Sequence, residues 1–171
     1  MSTTLLRLAT ETDLLSINEI YNYYVLRSTC TYQLDPETMA DRLSWFREHP
    51  VEKYPVTVVQ IADEVVGWGS LSRWRPRAAA APTVEATVYI RHDRHRLGLG
   101  KLILCDLIER ARQIGYHSII GSVSADQAAS IALQESLGFR QAAHMCEVAY
   151  KFGKWLDLMY MQLMLETQST R

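Results

Sequence analysis

Apolar residues recur along this chain with two different periods, and the change from one to the other divides it into elements. "TLLRLA" (Thr4 to Ala9) predicts a short strand. "TETD" from Thr10 predicts a helix start, with Asp13 standing where a weaker form of the capping box places its acid. Leu14, Ile17, Ile20, Tyr21, Tyr24 and Val25 follow at helical spacing. A second helix is predicted from Pro36 to about His49, with Pro in its first turn and Pro50 marking its end.

"YPVTVVQIA" and "VVGWGSLS", joined by the turn-like "DE", predict an antiparallel hairpin. In "TVEATVYI" (Thr83 to Ile90), Val84, Ala86, Val88 and Ile90 fall on one face, and Glu85, Thr87 and Tyr89 on the other. From Gly98 onward, Leu99, Leu102, Ile103, Leu107, Ala111 and Ile114 predict a helix closed by Gly115. "SIIGSV" predicts a strand and "QAASIALQESLG" a helix ending at Gly138. "AHMCEVAY" and "WLDLMYMQLML" predict two strands around the turn "KFGK". The order β-α-α-β-β-β-α-β-α-β-β implies an α/β fold with a mixed central sheet flanked by helices.

With 171 residues and 48% hydrophobic content, the chain is expected to form one domain, residues 1–171, around one core. A formal net charge of -1 argues against nucleic acid as the main partner, because phosphate binding draws on a basic face. Cys30, Cys105 and Cys146 are odd in number and lack a CxxC spacing, which fits reduced thiols in a cytoplasmic protein. No metal site is expected. The start "MSTTLLRLATETD" lacks the basic-then-apolar pattern of a signal, and no run approaches the ~18 apolar residues of a membrane helix, so no membrane partner is expected.

The stretch "HDRHRLGLGK" (His92 to Lys101) carries the chemistry. It is not a Walker A loop: Leu102 follows Gly100-Lys101, and His95 stands where the first glycine belongs. Nor is it a dinucleotide fingerprint, whose third glycine is replaced by Ile103. What survives is a basic loop ahead of a helix whose free N–H groups and dipole suit an anion, with Arg91, Arg94, Arg96 and Lys101 adding charge. An ordinary helix start with a solvated basic turn fits the same letters.

His95-Arg96-Leu97-Gly98-Leu99-Gly100 resembles the [QR]-x-x-G-x-[GA] loop of the GNAT superfamily of acetyl-CoA-dependent N-acetyltransferases, with His95 in place of Gln or Arg. "TVEATVYI", "AASIALQESLGF" and "KFGKWLDLMYMQ", with "IYNYYV" and "DRLSWF", extend the resemblance over nearly the whole chain, to the phosphinothricin and methionine sulfoximine N-acetyltransferase branch. The resemblance implies a GNAT fold, acetyl-CoA as co-substrate, a small amino-acid-like amine as acceptor, direct attack in a ternary complex, and a homodimer. It implies that Val88, Tyr89 and Ile90 pair through their backbone with the pantetheine arm. Arg96, Leu97, Gly98, Leu99, Gly100 and Lys101 would cradle the pyrophosphate, with Gln127 and Ser130 completing the cofactor side. Glu85 would be the general base beside the acceptor, Tyr32 an aromatic near it, and Trp74-Arg75 part of the loop over its pocket.

The chemistry is consistent with those residue types. An α-amino group with a pKa of about 7.7–8.0 must lose a proton as it attacks, and a carboxylate takes it directly or through water. Arg75 or Arg77 offers bidentate geometry to an acceptor carboxylate, and a backbone N–H near Val88 serves the oxyanion if the sheet splays there. Blander roles stand beside these: a solvent-facing or Arg-paired Glu85, and solvated loop arginines. The branch has Asn at Gln127 and His at Gln134; Gln134 donates a hydrogen bond but no proton, leaving Tyr89 and Tyr150 as substitutes. "RPRAAAAPTVE" carries alanines where the branch carries aromatics. Acetylation of a polyamine or protein N-terminus, or an acetyl-CoA sensor with weak or no catalysis, are the alternatives. The weak polar alternation of "WLDLMYMQLML" predicts cover on both its faces, by the core or by a second subunit.

Overall fold

The computed structural model describes residues 3–165 and has the expected order of elements. These are β1 (Thr4–Leu8), α1 (Leu14–Arg27), α2 (Met39–Arg47), β2 (Val56–Ile61), β3 (Glu64–Arg73), β4 (Thr83–Ile90), α3 (Leu99–Ile114), β5 (Ser118–Ser124), α4 (Ala128–Ser136), β6 (Arg140–Lys151) and β7 (Lys154–Met164). The strands form one seven-stranded sheet in the order β1-β2-β3-β4-β5-β7-β6. Its neighbours are antiparallel except β4 and β5, whose parallel pairing is made possible by the α3 crossover.

Two boundaries differ from the sequence reading. Helix α2 begins at Met39, after Pro36, because Thr38 and Asp41 form a reciprocal capping box: Asp41 N–H donates to Thr38 Oγ1 at 3.1 Å, and Thr38 N–H to Asp41 Oδ2 at 3.0 Å. That box satisfies two otherwise orphaned donors, which a first-turn proline cannot do. The β2–β3 turn is Ala62-Asp63, one residue earlier than "DE", with Ala62 at φ 53° and Glu64 already paired with Ile61. The Thr10–Asp13 contact is present, Thr10 N–H donating to Asp13 Oδ2 at 2.8 Å, and it opens a short 3-10 turn ahead of α1.

The alternation in β4 is realised as predicted. Val84, Ala86, Val88 and Ile90 pack with Ile103, Leu107 and Ala111 of α3, while Tyr89 packs on the opposite face with Trp68 and α1. Each fully buried aliphatic side chain of α3 contributes roughly 1.5–3 kcal/mol. The hairpin turn Phe152-Gly153 has both residues at positive φ, 51° and 76°, as the right-handed twist of β6 and β7 requires.

Strand β7 lies inside the sheet, and its cover within the chain is incomplete: Leu156 and Met161 are buried, but Trp155 and Met164 are exposed. Strand β6 is one edge of the sheet, opposite β1, and is bulged. Met145 pairs with Leu158 and Ala149 with Leu156, so residues 146–148 stand opposite Asp157, with Glu147 at φ 51°.

The feature that makes a site is a fork. Strands β4 and β5 pair only at Thr83↔Ser118, Val84↔Ile119 and Glu85↔Ile120. Beyond Glu85, β4 continues along β3 and β5 along β7. The space between the carboxyl halves of two parallel strands is where open α/β sheets take their ligands.

Candidate active site

A cleft of about 810 Å³ occupies the fork, lined on one side by residues 85–90 of β4 and on the other by Ser122, Val123 and Ser124 of β5. Strand alternation decides which backbone groups face it. Arg91 N–H bonds to Val66 C=O on the β3 side, and Ile90 C=O accepts the Tyr24 hydroxyl on the cleft side. By the period of two, Val88 turns its N–H and C=O into the cleft, where β5 has departed, and Tyr89 turns its own toward β3. Of the three residues expected to pair with a pantetheine arm, only Val88 has both groups unspent: Tyr89 faces the sheet, and the Ile90 carbonyl is taken.

At the wide end stands the glycine loop. Gly98 has φ 75°, and no atom lies within 4 Å of the point where a Cβ would stand, so the requirement there is backbone conformation and not space. The first α3 bond is Leu102 N–H to Gly98 C=O at 3.0 Å, which leaves the N–H groups of Leu99, Gly100 and Lys101 available to an anion at the positive end of the helix. Arg94, Arg96 and Lys101 border the same space. Arg91 does not: its guanidinium is held by Asp93 at 2.7 Å and Glu64 at 3.1 Å. Leu97 is 58% exposed and lies outside the cleft lining, so it offers backbone alone.

His95, the departure from the family pattern, has a structural role. Its Nε2 lies 2.6 Å from the Tyr24 hydroxyl and 3.3 Å from Ile90 C=O, and its ring is parallel to Tyr24 within 4°. Since the Tyr24 proton goes to Ile90, the network assigns the Nε2 proton to His95. The loop is thereby tied to α1 and to the end of β4. In the sequence, Tyr24 is legible only as part of the apolar stripe of α1.

Glu85 sits at the apex of the fork, opposite Ser72 of β3 and Ile120 of β5, half-buried and on the cleft wall. Gln134 of α4 also lines the cleft, 8% exposed, its carboxamide pressed so closely against Gly121 that a Cβ there would overlap Oε1. That Oε1 has no hydrogen-bond partner among the described residues. The substitutes for a proton donor fall away. Burial pushes the Tyr89 hydroxyl well above its usual range, and Tyr150 is 56% exposed on the β6–β7 hairpin against Trp155.

Gln127 and Ser130 both border the cleft at the start of α4, but the Gln127 amide is engaged, donating to Thr29 Oγ1 at 2.9 Å and Asp126 Oδ1 at 3.2 Å. Tyr32 is also in the lining, its hydroxyl donating to Asp157 C=O at 2.8 Å. The acceptor-loop residues are elsewhere. Trp74 meets Tyr160 edge-on at 5.2 Å, Arg75 stacks over Trp74 at 4.6 Å, and Arg77 precedes an exposed turn; none of the three is in the cleft lining.

Sequence reasoning missed what anchors segment 28–32, of which Cys30, Thr31 and Tyr32 border the cleft. Lys151 is 4% exposed and donates to Ser28 C=O and Thr31 C=O, each at 2.8 Å, while burial lowers its pKa. Asp126 accepts from Thr29 and Lys154; burial alone would raise its carboxyl, but these hydrogen bonds outweigh it and hold it at about 2. The Thr29–Asp126 and Ser28–Lys151 contacts span about a hundred residues or more, and neither leaves a local signal.

A family description, "Acetyltransferase (GNAT) domain", matches residues 6–160. An L-methionine sulfoximine/L-methionine sulfone acetyltransferase of Pseudomonas aeruginosa is 41% identical over 155 residues, covering 90% of each chain. Among solved structures, YncA of Salmonella typhimurium with its cofactor acetyl-CoA superposes at a TM-score of 0.94, with 36% identity over 99% of this chain and 98% of its own. A phosphinothricin acetyltransferase of Sinorhizobium meliloti in complex with acetyl-CoA gives 0.93, with 33% identity over 99% of this chain and 92% of its own. With the forked parallel strands, the glycine loop at an open helix start and this likeness over nearly the full length, the chain belongs to the GNAT acetyltransferase family.

Proposed function

We propose that the protein transfers the acetyl group of acetyl-CoA to the amine of a small amino-acid-like compound of the methionine sulfoximine, methionine sulfone or phosphinothricin type, by direct attack in a ternary complex. The observation that carries this reading is the fork, which puts the open Val88 backbone, the α3 N-terminus and Glu85 along one continuous cleft. The pyrophosphate takes the α3 N–H groups with Arg96 and Lys101, and the pantetheine arm donates to the Val88 carbonyl, leaving the Val88 N–H for the reacting end. Glu85, at the apex, accepts the proton as the amine nitrogen bonds to the thioester carbon. The Val88 N–H donates to the oxyanion, the C–S bond breaks, and the CoA thiolate leaves beside the Gln134 amide to be protonated from solvent. A thiol with a pKa near the ~8.5 of cysteine tolerates this without a dedicated acid.

Gln134 favours one second reading, an acetyl-CoA sensor with little turnover, because an amide supplies no proton. Incubation with acetyl-CoA and an amine panel, followed by mass detection of the N-acetyl product, separates the two. Product from an amino-acid-like amine supports the enzyme; tight acetyl-CoA binding without product from any amine supports the sensor.

The chain acts as a single domain and a homodimer. Support for the dimer is the exposed aromatic cluster at the tip of the β6–β7 hairpin, with Tyr150, Phe152 and Trp155 all more than half exposed on an edge of the sheet. Light scattering giving a monomer mass would contradict it. Among the described residues no helix is long and apolar enough to cross a membrane, and the free Cys30, Cys105 and Cys146 fit a cytoplasmic setting.

A further inference from the structure

On the β6–β7 ladder, outside the cleft, three side chains that sequence spacing does not relate come together. The ligand-capable atoms of His144, Cys146 and Asp157 all lie within 4.8 Å of one another. The bulge in β6 brings this about: it sets residues 146–148 against Asp157 alone, so that the thiol and the imidazole two residues before it approach one carboxylate. His144 Nε2 is already 2.8 Å from Asp157 Oδ2, and Glu147 N–H holds the other oxygen at 2.9 Å.

The geometry points to a divalent transition-metal site of one imidazole, one thiolate and one carboxylate, suited best to Zn²⁺ and separate from the acetyl-transfer chemistry. The donor set argues for the ion. A thiolate is a poor ligand for Mg²⁺ or Ca²⁺ and a good one for Zn²⁺, and mixed N, O and S donors are ordinary zinc ligands. Tetrahedral zinc with bonds of ~2.0–2.3 Å holds its ligand atoms ~3.3–3.7 Å apart. The present spacing therefore needs the His144–Asp157 pair to open by about half an ångström and Cys146 to swing inward. His144 and Cys146 are exposed and free to make those rotations. The carboxylate is oriented: the Glu147 N–H donates to Asp157 Oδ1 at 2.9 Å, the kind of outer contact that orients a metal-bound carboxylate. A water completes the fourth position.

Occupancy would clamp the bulge of β6 to β7 at a residue that also supports the cleft. Asp157 C=O accepts the Tyr32 hydroxyl at 2.8 Å and Ala125 N–H at 3.0 Å, so the metal is one residue's backbone away from the acceptor wall.

The test is titration of the full-length protein with Co²⁺ as a spectroscopic stand-in, followed by displacement with Zn²⁺. One equivalent of Co²⁺ should give a thiolate-to-cobalt charge-transfer band that Zn²⁺ abolishes. Cys146→Ser, a near-isosteric change at an exposed position, should remove the band while leaving the circular dichroism spectrum unchanged. His144→Gln should weaken binding by at least about 100-fold, beyond the usual cost of losing an outer contact. Zn²⁺ should also shield Cys146 from alkylation while the exposed Cys105 still reacts. Absence of a stoichiometric band in the folded protein, or a band that survives Cys146→Ser, would overturn the assignment.

Discussion

The hydroxyl of Tyr24 on α1 donates to the backbone carbonyl of Ile90, the last residue of β4, and so closes the wide end of the cleft from outside the sheet. His95 completes the link from the loop side. Tyr24→Phe keeps the ring and removes only the bridge. A net hydrogen bond of about 1 kcal/mol corresponds to roughly a fivefold change in affinity. Calorimetry should show acetyl-CoA binding weakened by about that factor, with kcat within about twofold of the parent. An unchanged Kd would remove Tyr24 from the positioning of the loop.

Gln134 presents a buried carbonyl oxygen without a partner among the described residues. Leaving such a group unpaired costs about 1–3 kcal/mol. Gln134→Met has similar length and no carbonyl, so the ligand-free protein should melt at a higher temperature, while under the proposed mechanism turnover falls with the loss of an amide donor beside the leaving sulfur. A lower melting temperature would show that the amide is stabilising as it stands.

Asp126 gives a pH dependence with a definite sign. Its folded-state pKa, about 2, lies below the ordinary carboxylate value of about 3.9, so its ionised form favours the folded chain. The contribution is complete above pH ~4 and fades as the pH falls toward 2. Asp126→Asn should therefore lower the melting temperature at neutral pH, and the gap from the parent should close in acid. A gap that stays constant from pH 7 to pH 2.5 would assign the loss to something other than the carboxylate.

The elements are legible in the sequence because each carries its own period and punctuation: the alternation of β4, the Gly98–Gly115 bounds of α3 and the Phe152-Gly153 turn are all local statements. The start of α2 is misread because Pro36 and Thr38 compete as signals and only the capping box spends donors. The site is half legible. Glu85, the glycine loop and Tyr32 are in the cleft; the alternation of β4 and the glycine spacing are local signals, whereas Tyr32 is placed by the family resemblance alone. Trp74 and Arg75 are placed by the family resemblance and Arg77 by its charge in the same loop, neither of which says whether the loop folds over the cleft; Arg75 stacks on Trp74 and Trp74 meets Tyr160 edge-on, which turns those two to other partners. The Lys151 and Asp126 anchors join segments distant in sequence, which no period records.

The proposed role of Glu85 as the base for acetyl transfer is tested most directly by the steady-state rate of CoA release with methionine sulfoximine, methionine sulfone and phosphinothricin, parent against Glu85→Gln. General-base help is typically worth about 10²–10⁴-fold. The parent should turn over at least one of these amines saturably, and Glu85→Gln should lose about 10²-fold or more in kcat while binding acetyl-CoA as before. No turnover above background with any amine, or equal rates in parent and variant, would contradict that role.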